Sequence, residues 1–151
     1  MSVAFRRESD EEHLEPKFEL PIPPGPNLVT AAGPALLAAR AAAIEAQLAG
    51  TEGEAREPLL RDLRYWRTRV ATAVVAPAPA PDEAGIGSTV TFRLNGATRT
   101  ITIVGHDEAD AEARIAYAAP LARALMGAAA GDCLPFQGRD DAIEVLDVER
   151  R

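Results

Sequence analysis

Two stretches of this chain repeat apolar residues at helical intervals, and a third alternates them. Leu37, Ala41, Ile44 and Leu48 follow at steps of four, three and four residues; Leu59, Leu63, Trp66, Val70 and Ala73 follow at four, three, four and three. Steps of this kind put one apolar seam on each helix, as in a coiled coil. Thr30 stands where an N-cap would, and Pro34 falls in the turn after it, so the first helix is expected to run to about Ala49 and stop at Gly50. The second is expected from Pro58 to about Val74. The connection, Gly50 to Ala55, is short and holds glycine, which predicts an antiparallel helical hairpin over residues 28–75. Arg56, Arg61, Arg64 and Arg67 lie mostly off the seam, forming either a solvated face or a partner contact.

Residues 84–151 have a different texture. Val90, Phe92 and Leu94 alternate with polar residues over Thr89 to Leu94, Asn95-Gly96 is a two-residue hairpin signal, and a return strand follows over about Arg99 to Val104. Further strands are expected over Ile115–Tyr117, Cys133–Phe136 and Ala142–Val148. A short helix is expected over Leu121–Met126, opened by Pro120 and ended by Gly127. Ala76 to Pro81 alternates alanine and proline, so residues 76–83 read as a semi-rigid linker. Residues 1–27 are charged, then rich in proline, and read as an extended or disordered tail. The expected class is α+β: a helical hairpin, then an antiparallel sheet carrying one short helix.

Composition narrows the function. Hydrophobic residues are 47% of the chain but aromatics only 5%, and much of the apolar share is alanine, which buries little area. The core must come from few Leu, Ile, Val and Phe side chains. A net charge of −7 argues against general nucleic-acid binding, which needs cations to neutralise phosphates. Cys133 is the single cysteine, so no intrachain disulfide is expected. No apolar run is long enough for a membrane span, and the first ten residues lack a secretory h-region, so a cytoplasmic location without membrane contact is expected. His13 and His106 are far apart, and no nucleophile elbow, phosphate-binding loop or metal-ligand cluster occurs. No cofactor, no metal of its own and no catalytic residue is expected.

Residues 84–149 resemble the C-terminal domain of the Gre family of bacterial transcription elongation factors. The resemblance is carried, in order, by Gly87-Ser88-Thr89-Val90-Thr91, Ile103 through Asp110, Ala119-Pro120-Leu121-Ala122-Arg123-Ala124-Leu125-Met126-Gly127, and Gly131-Asp132; Asn27-Leu28-Val29-Thr30 is similar to the family's lead-in to its first helix. It implies an N-terminal antiparallel coiled coil and an FKBP-like C-terminal domain. It implies a partner, bacterial RNA polymerase, with the C-terminal domain docked at the rim of the secondary channel. It also implies a coiled-coil tip carrying two acids toward the active-site magnesium, so that the polymerase cleaves backtracked RNA. The chain would then be an accessory monomer that meets DNA and RNA only through the elongation complex. Any Mg2+ would be shared with the polymerase, whose two-metal chemistry needs hard oxygen ligands. The docking candidates on this reading are Asp107, Glu108, Asp110, Pro120, Leu121 and Arg123.

Three departures from the family pattern bear on activity. The family tip reads Gly-Asp-x-x-Glu-Asn-Ala, whereas this turn reads Gly50-Thr51-Glu52-Gly53-Glu54-Ala55, so Glu54 falls on the family glutamate and Thr51 on the aspartate. Glu52 and Glu54 are the candidate metal-assisting pair, or a solvated acidic turn. The arm has room for about 18 residues per helix, roughly 27 Å, against about a dozen more per helix in cleavage factors. Ala118-Ala119 precedes Pro120, where the family carries a polar pair. The readings are therefore a cleavage factor, a non-cleaving regulator at the channel entrance, and, by fold analogy alone, a prolyl isomerase. Phe92, Tyr117 and Phe136 offer the last little aromatic pocket.

Overall fold

The computed structural model describes residues 19–150. The expected tail over residues 1–27 therefore lies mostly outside the described residues, as does His13. The described residues form two compact units: residues 19–25 go with Leu37–Thr72, and Pro26–Leu36 goes with residues 73–150.

The helical unit is built from α1 (Gly33–Ala49) and α2 (Arg56–Thr72), each 17 residues long. At ~1.5 Å per residue each spans roughly 25 Å. The seam holds along most of its length. Leu37, Ala41, Ile44, Leu48 and Leu63 are buried, and Leu59, Leu60 and Trp66 pack on the cluster of Ala41, Ile44, Leu48 and Leu63. It ends sooner than the spacing predicts, because Val70 is 39% exposed.

Helix boundaries also move. Thr30 does not cap α1: its carbonyl closes a turn onto the Gly33 N–H, and its hydroxyl is drawn to Glu108. The second helix begins at Arg56 after a 3-10 turn over Gly53–Ala55. Pro58 sits inside its first turn, where the missing N–H is not needed. The helix ends at Thr72 rather than Val74 because Val74 turns extended and donates its N–H to the Asn27 carbonyl at 2.9 Å.

That bond belongs to a feature absent from the sequence reading. β1 (Leu28–Val29) and β2 (Val74–Val75) pair in parallel, Leu28 with Val74 and Val29 with Val75. The two ends of the segment expected to be a helical hairpin, residues 28–75, are thus a two-stranded sheet in the second unit.

The main sheet contains β3 (Ser88–Leu94), β4 (Ala97–Val104), β5 (Arg114–Ala116), β6 (Cys133–Phe136) and β7 (Arg139–Arg150), in the order β5-β4-β3-β7-β6. Asn95 and Gly96 turn β3 into β4 with φ of 53° and 77°, which suits this pair and no β-branched residue. The sheet is mixed, not wholly antiparallel as expected: β5 runs parallel to β4, with Ile103 opposite Ile115. A parallel neighbour needs a crossover, here the segment after Val104 that includes a 3-10 turn at His106–Glu108. Between β5 and β6 lies α3 (Pro120–Leu125), whose Ala122 and Leu125 are fully buried with Val90, Phe92, Ile101, Ile103, Ile143 and Val145. No helix of the described residues is long and apolar enough to cross a membrane.

Candidate functional site

The hairpin tip is an ordered turn. Arg56 donates from Nη1 to the Leu48 carbonyl at 2.8 Å and to the Thr51 carbonyl at 3.0 Å, tying the start of α2 to the end of α1. The Thr51 hydroxyl donates to the Gln47 carbonyl at 2.7 Å. Glycine is required at Gly53, where φ is +72°. Glu52 and Glu54 are both exposed and flank Gly53, so their carboxylates face water. Among the described residues no three acidic, histidine or cysteine side chains group as a metal site. The two acids could contribute ligands only to a metal held chiefly by something else.

The acidic loop after β4 differs from its expected role. Glu108 is 5% exposed. Its Oε2 accepts the Gly105 N–H and the Thr30 N–H, both at 2.9 Å, and its Oε1 accepts the Thr30 hydroxyl. Its backbone N–H returns to the Gly105 carbonyl at 3.1 Å, and its own carbonyl accepts Arg114 Nε at 3.1 Å. Close approach makes this possible: a Cβ on Gly105 would lie 2.5 Å from the Leu28 carbonyl oxygen and 2.7 Å from Glu108 Oε2. Glu108 is therefore an internal clasp between Thr30, just after β1, and the start of the 3-10 turn at His106–Glu108, so this docking candidate is buried and its carboxyl oxygens are engaged inside the fold. A buried carboxyl group is tolerated here because several donors meet its oxygens.

Asp110 remains exposed but is committed locally. Its Oδ1 accepts the N–H groups of Glu112 and Ala113 at 2.9 Å and of Arg114 at 3.0 Å. These three bonds favour the carboxylate and hold its pKa below the ordinary aspartate range, the Arg114 N–H first, then Ala113 and Glu112. Asp107 is half-buried.

The helix α3 presents the remaining candidates. Pro120 is its first residue and is exposed; the N-cap Ala119 offers no side-chain bond. Leu121 is half-buried and packs on the core, so only part of it is available. Arg123 is exposed one turn along, and Met126 beyond it is 42% exposed. Met126 was not among the sequence candidates, although its step of three from Arg123 puts it on the same side of the helix. Residues 78–150, which include all five strands of the main sheet and α3, match the family described as transcription elongation factor, GreA/GreB, C-terminal domain.

Residues 78–150 form a GreA/GreB-type C-terminal domain. Transcription elongation factor GreB of Neisseria meningitidis serogroup A is 38% identical over 97 residues, covering 59% of this chain and 59% of the relative. The chain thus spans less than two thirds of that relative's length. Transcription elongation factor GreA of Thermomicrobium roseum is 45% identical over 53 residues, 34% of each chain. Among solved structures, Gfh1 of Thermus aquaticus is 18% identical, with 82% of this chain and 98% of that chain covered at a TM-score of 0.40. Against the GreA/GreB pattern, the residues in the matched region that the fold engages internally are Glu108 and Asp110. Those it leaves on the surface are Pro120 and Arg123, with Leu121 partly covered.

Proposed function

We propose that this GreA/GreB relative is an accessory factor that binds bacterial RNA polymerase at the secondary channel and regulates elongation or the rescue of backtracked complexes. The observation that carries the reading is the family match over residues 78–150, within which Pro120 and Arg123 stand exposed on α3. The chain brings no active site of its own. It meets nucleic acid only through the elongation complex, in the cytoplasm, as a monomer. In this reading α3 docks at the channel rim and the hairpin enters. Glu52 and Glu54 then approach a magnesium ion that belongs to the polymerase. Carboxylates suit that task because Mg2+ takes hard oxygen ligands, and two-metal chemistry activates water while stabilising the leaving oxygen.

A second reading is favoured by arm length. Helices of 17 residues, roughly 25 Å, leave the tip short of the catalytic metal if docking follows the family. Thr51 also stands where the family's tip aspartate would be. The chain would then occupy the channel entrance without stimulating cleavage. Transcript cleavage by stalled elongation complexes separates the two. Stimulation that is lost in Glu54→Ala supports the first, and binding without stimulation at saturating protein supports the second. Absence of binding refutes both.

A further inference from the structure

The segment ahead of the hairpin has a seat on α2. Within the helical unit, Glu19 Oε1 lies 2.7 Å from Arg64 Nη2. Leu20 is half-buried, and Leu20 and Ile22 line a shallow groove with Arg64, Tyr65, Arg67 and Thr68. Those four helical positions lie off the Leu59–Leu63–Trp66 seam, so the groove is separate from the hairpin's own core. Pro21, Pro23 and Pro24 hold the segment extended, without need of partners for their missing N–H groups.

The charge on this side of α2 runs against that of the protein. The chain carries a net −7, yet Arg61, Arg64 and Arg67 follow one another at three-residue steps. Among the described residues, Arg61 Nε is 3.6 Å from Asp62 and Arg67 Nη2 is 3.6 Å from Glu45. Arg61 Nε has no hydrogen-bond partner among the described residues. The close pair is the one made by the segment, Glu19 with Arg64.

We propose that residues 19–22 form an intramolecular strap. It lies in cis beside α2 as one wall of a shallow groove whose other wall carries Arg64, Tyr65, Arg67 and Thr68, and its Glu19 occupies Arg64 in place of an acidic partner. The strap is built to be displaced. Both members of its ion pair are about half exposed, and exposed pairs contribute little and are screened by salt. Ile22 keeps 46% of its surface in water. A partner segment of the same chemistry replaces like with like. This inference does not rest on the polymerase reading.

The test uses the full chain and a fluorescent oligoglutamate peptide, with binding read by anisotropy at low salt. Leu20→Ser with Ile22→Ser loosens the strap without changing charge, and should tighten peptide binding about three- to ten-fold over the unaltered chain. The gain should vanish when Arg64→Gln and Arg67→Gln are added, and should shrink at high salt. Equal binding by the loosened and unaltered chains overturns the proposal. So does a gain that survives loss of both arginines, or no binding by any variant. Far-ultraviolet circular dichroism confirms that the four-substitution chain keeps its helices. If it does not, Arg64→Gln alone replaces it, and must by itself remove most of the gain.

Discussion

The Glu108 carboxylate accepts the backbone N–H of Thr30 at 2.9 Å, joining residues 78 positions apart in the chain. The same oxygen takes the Gly105 N–H, so one buried side chain fixes the end of β1 and the turn after β4 together. Glu108→Ala leaves both N–H groups without their acceptor. An unsatisfied buried donor costs ~1–3 kcal/mol, so the expected loss is about 2–4 kcal/mol. Thr30→Ala removes only the hydroxyl bond and should cost about 1 kcal/mol. Urea unfolding followed by tryptophan fluorescence and circular dichroism measures both. Equal, small losses would mean that the clasp is not what holds β1.

Gly105 makes that clasp sterically possible. Any side chain there meets the Leu28 carbonyl oxygen at 2.5 Å. Gly105→Ala should therefore destabilise the second unit by about 2 kcal/mol or more, through forced displacement of β1 rather than through lost contacts. Gly127→Ala is the comparison: open space surrounds it, and only its φ of +81° is strained, so its loss should stay near ~1 kcal/mol.

These two residues also mark where sequence reasoning stops. Patterns that repeat over many positions were legible. The seam residues Leu37, Ala41, Ile44 and Leu48 are buried, and the Asn95-Gly96 hairpin pairs Val90 with Ile101. The span Cys133–Phe136 has the expected bounds. Features set by distant partners were not. β1 and β2 have two residues each, too few to show a period. Glu108 sits among Asp107, Asp110 and Glu112, a run that looks solvated. Only Thr30, brought close by the fold, reveals its burial. The parallel course of β5 depends on the crossover and not on the alternation of its three residues. On the candidate site, exposure of Glu52, Glu54, Pro120 and Arg123 agrees with what their turn and helix-start positions suggest, and Leu121 is divided between core and surface.

Asp110 supplies a pH test. Its carboxyl is held below the ordinary aspartate range by three backbone N–H bonds in the fold. A depressed folded-state pKa contributes stability above the unfolded value that disappears as pH falls through the folded value. The contribution is thus intact above the unfolded-state pKa of about 4 and declines as pH falls from there through the lower folded-state value. Carbon-13 titration should place the Asp110 carboxyl below its unfolded value. Asp110→Asn should flatten the acid limb of the stability curve there and leave its slope near neutrality unchanged.

Arg56 ties the tip. Arg56→Ala frees the Leu48 and Thr51 carbonyls, and should cost about 1 kcal/mol while speeding hydrogen exchange in Gly50–Ala55. If cleavage depends on presenting Glu52 and Glu54, this variant should reduce it without weakening polymerase binding. Loss of binding instead would place the tip in the docking contact.

The affinity of the full chain for bacterial RNA polymerase, compared with that of Arg123→Glu, tests the central claim most directly. The account predicts saturable binding that Arg123→Glu weakens at least about ten-fold, equivalent to ~1.4 kcal/mol, while Glu52→Ala with Glu54→Ala leaves it unchanged. No binding by the unaltered chain, or binding indifferent to Arg123→Glu but abolished at the tip, would contradict it.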